Sequence, residues 1–304
     1  MTLKLKRREI LLALGTLLWV SACQSNSTDN QQPNSPSRRI VALEWSFVES
    51  LLALGIQPVG VADISGYKEY VNIPPKLTAT VQDIGTRQEP NLEAIAQLKP
   101  DLILGVSFRQ KGILSALETI APTRLFDFYS QEINQLTRFK EIFLEIAQLT
   151  DRAAIGKTKL QQLETTIKEA KATLREKRLT DRPIVLAELV ATDSPFRIFT
   201  DDAFPIQLLS AIGLKNAWQG NFSQYGFNRI GMESLSDLKA VNFIYVPPDE
   251  NPEIEKEITS KSLWKKMEFV QADRVYRLAG DTWLYGGILS SELLIKQVVS
   301  QLSQ

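Results

Sequence analysis

The sequence predicts an α/β protein of two α/β lobes joined by a single long helix, and three observations carry that reading. First, Leu92-Glu93-Ala94-Ile95-Ala96-Gln97-Leu98-Lys99-Pro100, leading into Asp101-Leu102-Ile103-Leu104, is echoed by Met232-Glu233-Ser234-Leu235-Ser236-Asp237-Leu238-Lys239-Ala240, leading into Asn242-Phe243-Ile244-Tyr245. Each copy has apolar residues at helical spacing before an apolar run, so each reads as a short helix feeding a buried strand. A helix-strand unit that recurs after 140 positions (233 − 93) fits two similar lobes better than one long sheet. Second, Leu160, Leu163, Ile167, Ala170 and Leu174 step by three and four through a segment far longer than a crossover needs. Third, strand and helix patterns alternate through the segment before that helix, which argues a parallel sheet with helical crossovers there, and strand and helix patterns resume after it.

The chain opens with Lys4, Lys6, Arg7 and Arg8, then an apolar stretch from Ile10 to Val20 that is too short to span a bilayer. Residues 1–22 therefore read as a lipoprotein signal peptide, ending in Val20-Ser21-Ala22 before Cys23, the one cysteine of the chain. This resembles a lipobox, with Cys23 as the lipidated first residue of the mature protein. An ordinary secretory signal is the alternative, and Arg7-Arg8 leaves twin-arginine export open beside the general route. Residues 23–37 are rich in Asn, Gln, Ser and Pro and form a tether that cannot pack into a core.

Residues 38–149 form the N-terminal lobe. It starts with a strand at Arg39 to Leu43 and a helix marked by Phe47, Leu51 and Leu54, stopped by Gly55. A strand at Val59 to Ala62, the first repeat, a strand near Thr123 to Phe126 and a helix from about Ser130 follow. The inter-lobe helix occupies residues 150–181, with Asp151 as its expected N-cap, and is about 40 Å long at 1.5 Å per residue. Residues 182–304 form the C-terminal lobe, with strands at Ile184 to Ala187, Arg197 to Phe199 and Val275 to Leu278. It also holds the second repeat and a terminal helix through Leu289, Leu293, Ile295, Val298 and Leu302.

Composition excludes several classes of function. The whole chain has 35 basic and 35 acidic residues and no histidine. Zinc and haem sites built on histidine, and Ser-His-Asp or Cys-His catalysis, are thereby removed. Without residues 1–22 the balance is 31 basic to 34 acidic, a formal charge of −3, which attracts no nucleic acid. No glycine-rich phosphate loop or nucleophile elbow is present, so no catalytic residue and no metal ligand is assigned.

A binding site has more support. Loops expected at the carboxyl ends of strands carry aromatics and arginines: Trp45, Tyr67, Tyr70, Arg87, Phe108 and Arg109 in the first lobe. In the second lobe Trp218 to Phe227 includes Tyr225, and Asp281 to Gly287 includes Trp283 and Tyr285. Such walls with a few fixed donors suit a bulky, partly apolar ligand bearing exposed oxygens. Arg87, after Gly85 in a loop facing the cleft, suits carboxylate or hydroxamate oxygens.

Arg39 to Trp45, Ala53 to Asp63, Asp83 to Glu93, Asn216 to Gly220 and Trp283 to Gly286 resemble the binding proteins of bacterial iron-siderophore ABC importers. The likeness covers residues 38–304 and is greatest to the branch that takes ferrichrome and other ferric hydroxamates. It implies two α/β lobes on one long helix, a shallow cleft that closes little, and a ferric siderophore as transported ligand, with no cofactor of the protein's own. It assigns Arg87 to iron-coordinating ligand oxygens, and Trp283, Tyr285, Tyr225 and Tyr70 to the pocket wall, where Trp45, Phe108, Arg109 and Arg197 are further candidates. Phe108 stands where the family has a tyrosine and lacks its hydroxyl. Glu93 and Glu233 match the glutamates that dock into the ABC permease, although an acidic residue in a first helical turn also meets the helix dipole favourably.

The expected protein is an exported monomer, lipid-anchored at the outer face of the cytoplasmic membrane, that delivers a ferric hydroxamate to its permease. A citrate-based siderophore, ferric dicitrate, cobalamin or haem on the same fold is the alternative. For an anionic ligand Arg109, Arg197 and Arg229 are the residues that matter. A secreted carboxylate-dependent hydrolase would instead show a tight carboxylate pair in the cleft, and a scaffold would lack a concave aromatic pocket.

Overall fold

A computed structural model describes residues 38–71, 73–128, 134–223, 225–248 and 251–304. The signal segment, Cys23 and the tether lie outside the described residues, as does the expected helix start at Ser130.

The first half runs β1 (Ile40–Ala42), α1 (Trp45–Ala53), β2 (Gly60–Val61), α2 (Ile64–Tyr70), β3 (Gln82–Asp83), α3 (Leu92–Gln97) and β4 (Leu102–Val106). It continues through α4 (Ser107–Gln110), α5 (Leu114–Ile120), β5 (Thr123–Phe126) and α6 (Gln135–Leu149). Its five strands form a fully parallel sheet in the order β3-β2-β1-β4-β5. Helix α7 (Ala153–Glu176) then leads to the second half. There follow β6 (Ile184–Leu189), β7 (Phe196–Phe199), α8 (Phe204–Ala211), β8 (Phe227–Ile230) and β9 (Asn242–Val246). The chain ends with α9 (Pro252–Ser260), α10 (Ser262–Lys265), α11 (Glu268–Gln271), β10 (Val275–Arg277) and α12 (Ile288–Leu302).

The second sheet, β10-β9-β6-β7-β8, is mixed: β10, β9 and β6 are parallel, whereas β7 and β8 are antiparallel. Phe227 belongs to β8 and not to the aromatic loop that precedes it, because it pairs with Phe199 across the β7–β8 ladder.

Local chemistry accounts for the element ends. Gly55, at φ +76°, stops α1 in the left-handed conformation that costs glycine least. Asn91 accepts from Ala94 N at 3.0 Å and caps α3, and Asn134 accepts from Thr137 N at 2.9 Å and caps α6. Asp151 is not the N-cap of α7. It sits at φ +57° in the turn that closes α6, and Arg152 occupies the cap position. The 24 residues of α7 span about 36 Å.

More than α7 links the two sheets. Every residue of α1 is buried, as expected of a helix surrounded by protein. One continuous core joins Ile40 and Ala42 of β1 to Phe47 and Leu51 of α1, and to Phe139 and Phe143 of α6. The same core reaches Leu163 of α7, Leu208 of α8, Leu294 and Val298 of α12, and Leu186 and Ile244 of the second sheet. Helices α1, α6, α7, α8 and α12 thus form a layer shared by both sheets. Separate cores close the outer faces, around Ile84, Ile95 and Ile103 on the first sheet. On the second, Phe196, Phe243, Trp264 and Phe269 do the same.

The two copies of the repeated unit differ in form. Glu93 lies in the first turn of α3, and Glu233 lies in a 3-10 turn, Met232–Leu235. Both glutamates are exposed.

Candidate functional site

The site is built where the first sheet's strands end and the loop from Ala279 to Gly287 comes to meet them. Beyond β1, Glu44 is extended and caps α1, its Oε1 accepting from Trp45 N at 3.2 Å. The same carboxylate is only 7 % exposed and collects two arginines from two further strand ends. Arg87, in the loop after β3, donates from Nη1 to Glu44 Oε1 at 2.9 Å. Arg109, on α4 just after β4, donates from Nη1 to Glu44 Oε2. Gln110, wholly buried, fixes both loops: its Nε2 donates to Arg87 O at 2.8 Å, and its Oε1 accepts from Val106 N at 2.9 Å.

The guanidinium carbon of Arg87 lies 3.6 Å from the Trp45 ring centroid and 5.8 Å from that of Trp283. Both lie within the range of cation–π attraction. Trp45 is 2 % exposed, and its indole donates to Ala62 O at 3.1 Å. It therefore stands behind Arg87, a platform for the guanidinium and not a wall open to a ligand. Tyr67 is also a core residue, 3 % exposed and edge-on to Trp45. Tyr70 stacks on Trp45 at 6.1 Å and is half-buried.

From the second half, Trp283 packs 5.1 Å from Trp45 and 4.9 Å from Tyr285. Tyr285 donates its hydroxyl to Glu188 Oε2 at 2.7 Å, and Arg197 Nη1 donates to the same oxygen at 2.8 Å. Glu188 and Arg197 are cross-strand partners on β6 and β7, so their side chains share one face of the sheet. Burial, followed by the charge of Glu188, holds the Tyr285 phenol well above its ordinary range, and it remains a hydrogen-bond donor. Aromatic contacts then run from Tyr285 to Phe227 at 6.2 Å, from Phe227 to Tyr225 at 6.1 Å, and from Tyr225 to Phe108 at 6.0 Å. Tyr225 and Phe108 are exposed, at 41 % and 36 %, and meet across the gap between the halves. Arg109 lies over the Phe108 ring at 4.6 Å and Arg197 over Phe227 at 5.2 Å.

The structure thus brings Arg87, Trp45, Tyr70, Trp283, Tyr285, Tyr225, Phe108, Arg109 and Arg197 into one network of contacts. Trp218 is not in it; its indole donates to Asn228 Oδ1 at 3.0 Å and its ring packs on the outer core of the second sheet. Glu93 and Glu233 stand apart on the exposed surface. Sequence reasoning missed Glu44, Glu188 and Gln110, and set Phe227 in the loop that precedes β8. Glu44 precedes the singled-out Trp45 at a strand's carboxyl end, the one signal that pointed to it.

Trp283 Nε1 and Arg197 Nε are among the buried donors that have no acceptor among the described residues. A ligand oxygen satisfies such groups. No group of three or more Cys, Asp or Glu side chains able to hold a metal ion occurs among the described residues.

The site loop is tied to α1. Ser46 Oγ donates to the carbonyls of Tyr285 and Gly286, each at 3.3 Å. Glu49, wholly buried, accepts from Ser290 N at 2.9 Å and Ser290 Oγ at 2.7 Å at the start of α12. Burial pushes the Glu49 carboxyl up to about 8 against the lowering effect of those hydrogen bonds. Gly287, at φ +134°, lets the chain pass: a β-carbon there would lie 2.1 Å from Glu49 Oε2.

Comparison with known proteins places this geometry in a family context. A family model described as periplasmic binding protein matches residues 40–282. The chain is 33 % identical to the iron(3+)-hydroxamate-binding protein FhuD of Escherichia coli strain K12, over 94 % of this chain and 93 % of that one. It is 30 % identical to the Fe(3+)-citrate-binding protein YfmC of Bacillus subtilis strain 168, over 96 % and 95 % of the two chains. The solved structure of the siderophore-binding protein FhuD of Vibrio cholerae with bound Fe3+-Desferal matches with a TM-score of 0.80 at 32 % identity. That match covers 88 % of this chain and 98 % of the other.

Proposed function

This chain belongs to the periplasmic binding protein family, and from that premise we propose that it captures a ferric hydroxamate siderophore for an ABC importer. It is a binding protein and not an enzyme. The observation that carries the reading is Arg87, held flat on Trp45 beside Trp283 and Tyr285. A guanidinium fixed in an aromatic wall presents hydrogen-bond donors to clustered ligand oxygens, while the rings take the apolar body of the chelate. The chelator keeps the iron in its own oxygens, and the protein supplies contacts around it. The relatives named for iron(3+)-hydroxamate and for Fe3+-Desferal support this ligand class.

The remainder of the proposal follows the sequence. Cys23 carries a lipid that anchors the protein at the outer face of the cytoplasmic membrane, with residues 24–37 as tether. The monomer then presents Glu93 and Glu233 to the permease. Pocket contacts fall to Arg87, Trp283, Tyr285, Tyr225, Tyr70, Phe108, Arg109 and Arg197, with Trp45 behind them.

A ferric citrate chelate is the second reading, favoured by the relative named for Fe(3+)-citrate and by the three arginines of the site. Titration of the purified protein with Fe3+-Desferal, ferrichrome, ferric citrate and a ferric catecholate, followed by tryptophan fluorescence, decides between them. Saturable quenching strongest with the hydroxamates is the expected result. Quenching by ferric citrate alone, or by none of the four, would overturn the hydroxamate reading.

A further inference from the structure

The three arginines of the site do not stand alone. Arg87 and Arg109 share one carboxylate, Glu44, and Arg197 has its own, Glu188. These are not surface pairs. Side-chain exposure is 17 % for both Arg87 and Arg109 against 10 % for Glu44, and 26 % for Arg197 against 19 % for Glu188. The two carboxylates come from different sheets, one at the end of β1 and one in β6, and each meets its arginines from another strand end or strand. Each arginine spends an Nη1 on its carboxylate, and the guanidinium of Arg87 stays against Trp45 and Trp283.

A site made only to hold a polyanion would leave its arginines uncompensated, because every buried carboxylate beside them repels the ligand it is meant to attract. Here the three cations are offset by two anions, leaving a formal charge of +1 (3 − 2). Arg229, the cross-strand partner of Arg197, adds a positive charge only at the exposed rim. Within this weakly dielectric setting the carboxylates act on a ligand's net charge more strongly than they would in water.

We propose that Glu44 and Glu188 are specificity-determining residues: they offset most of the charge of the site arginines, so that the pocket favours a ferric chelate without net negative charge over polyanionic ones. The inference rests on the siderophore-binding reading and extends it from ligand type to ligand charge. Glu44 and Glu188 are positioning residues as well, since Glu44 fixes two guanidinium groups and Glu188 fixes Arg197 and the Tyr285 hydroxyl. Loss of positioning weakens all ligands alike, whereas loss of charge changes the ranking of ligands. That difference separates the two roles.

The test uses the full chain purified in mild detergent, titrated calorimetrically with Fe3+-Desferal, a trihydroxamate of no net negative charge, and with ferric citrate, a polyanion. Glu188→Gln removes one charge and keeps an acceptor oxygen for both Arg197 and Tyr285, whereas Glu44→Gln removes one charge and leaves a single acceptor oxygen for Arg87 and Arg109; circular dichroism checks the fold of both. The wild-type chain is expected to prefer Fe3+-Desferal. Each variant is expected to narrow the ratio of the two dissociation constants at least tenfold, mainly by tightening ferric citrate, with the gain fading as salt rises. Should Glu44→Gln not fold, Glu188→Gln, in the other sheet, carries the same test. A wild-type preference for Fe3+-Desferal that both folded variants retain within about twofold overturns the inference and leaves the siderophore reading intact. A wild-type chain that prefers ferric citrate, or binds neither chelate, overturns both.

Discussion

Arg87 lies over the face of Trp45 with its guanidinium carbon 3.6 Å from the ring centroid, and Trp45 is itself fixed by an indole hydrogen bond to Ala62 O. A flexible side chain is thereby held in one place before any ligand arrives. Preorganisation of this kind lowers the ordering cost that binding otherwise carries. It also makes the arginine's planarity matter as much as its charge.

Arg87→Lys is therefore expected to rescue little of the loss caused by Arg87→Ala. Both variants should weaken ferric hydroxamate binding by tenfold or more, about 1.4 kcal/mol per decade. Fluorescence titration measures it, and a lysine variant within twofold of wild type would contradict the stacking argument.

Trp283 contributes a ring beside Arg87 and a buried Nε1 donor that no described residue satisfies. Trp283→Phe keeps much of the ring and removes the donor, so its effect isolates the hydrogen bond, about 1 kcal/mol. Trp283→Ala should cost more, about 2 kcal/mol or above. Calorimetric titration of the two variants should rank them in that order.

Glu49 is raised from the ordinary 4.5 to about 8 by burial. Below 4.5 the carboxyl is protonated in folded and unfolded chains alike. Between 4.5 and about 8 the folded chain holds a proton that the unfolded chain has released, so rising pH favours unfolding across that window. Glu49→Gln imitates the protonated form at every pH. The variant should match wild type near pH 4.5 and exceed it by a few kcal/mol near pH 8, read from urea denaturation at both values. Equal stability differences at the two pH values would show that Glu49 does not titrate in this way.

Gly287→Ala brings a methyl group within 2.1 Å of Glu49 Oε2 at a backbone angle that side chains rarely adopt. A loss of about 3 kcal/mol is expected, with a lower Tm. Gly112, with open space around its β position, is the control glycine: Gly112→Ala should leave Tm nearly unchanged.

Glu93→Ala and Glu233→Ala act on exposed surfaces away from the aromatic network. Each should leave chelate affinity unchanged and reduce iron uptake by cells that depend on this protein. Unchanged uptake in the double variant would remove the docking role.

The sequence conveyed the parts of this molecule that depend on local pattern. The repeat at Glu93 and Glu233, the periodicity from Leu160 to Leu174 and the glycine after Leu54 depend only on neighbours along the chain, and each corresponds to an observed element. The Trp283-Leu284-Tyr285-Gly286 loop was legible for a similar reason, since two large rings beside paired glycines are poor turn chemistry. What was not legible depends on contacts made across long separations. Glu49 sits in an apolar helix, and its carboxyl meets Ser290, 241 residues away. Trp45 read as a cleft residue because its loop position is visible in the sequence and its burial is not. Glu44 and Glu188 each look like solitary acids at strand positions, and only the fold supplies their arginines. The left-handed turn at Asp151 defeated the capping rule because the closing turn of α6 claimed the residue first.

The helical layer shared by the two sheets has a consequence for how the chain comes to be folded. Helix α1 is synthesised well before α12, which covers one side of it and receives its buried Glu49. The first sheet can gather its strands as they emerge, but its central helix keeps an uncovered apolar flank until α12 is present. A chain cut short before Ile288 therefore loses more than α12: it leaves Glu49 buried in α1 without Ser290, and the site loop tied to Ser46 without the helix that it leads into.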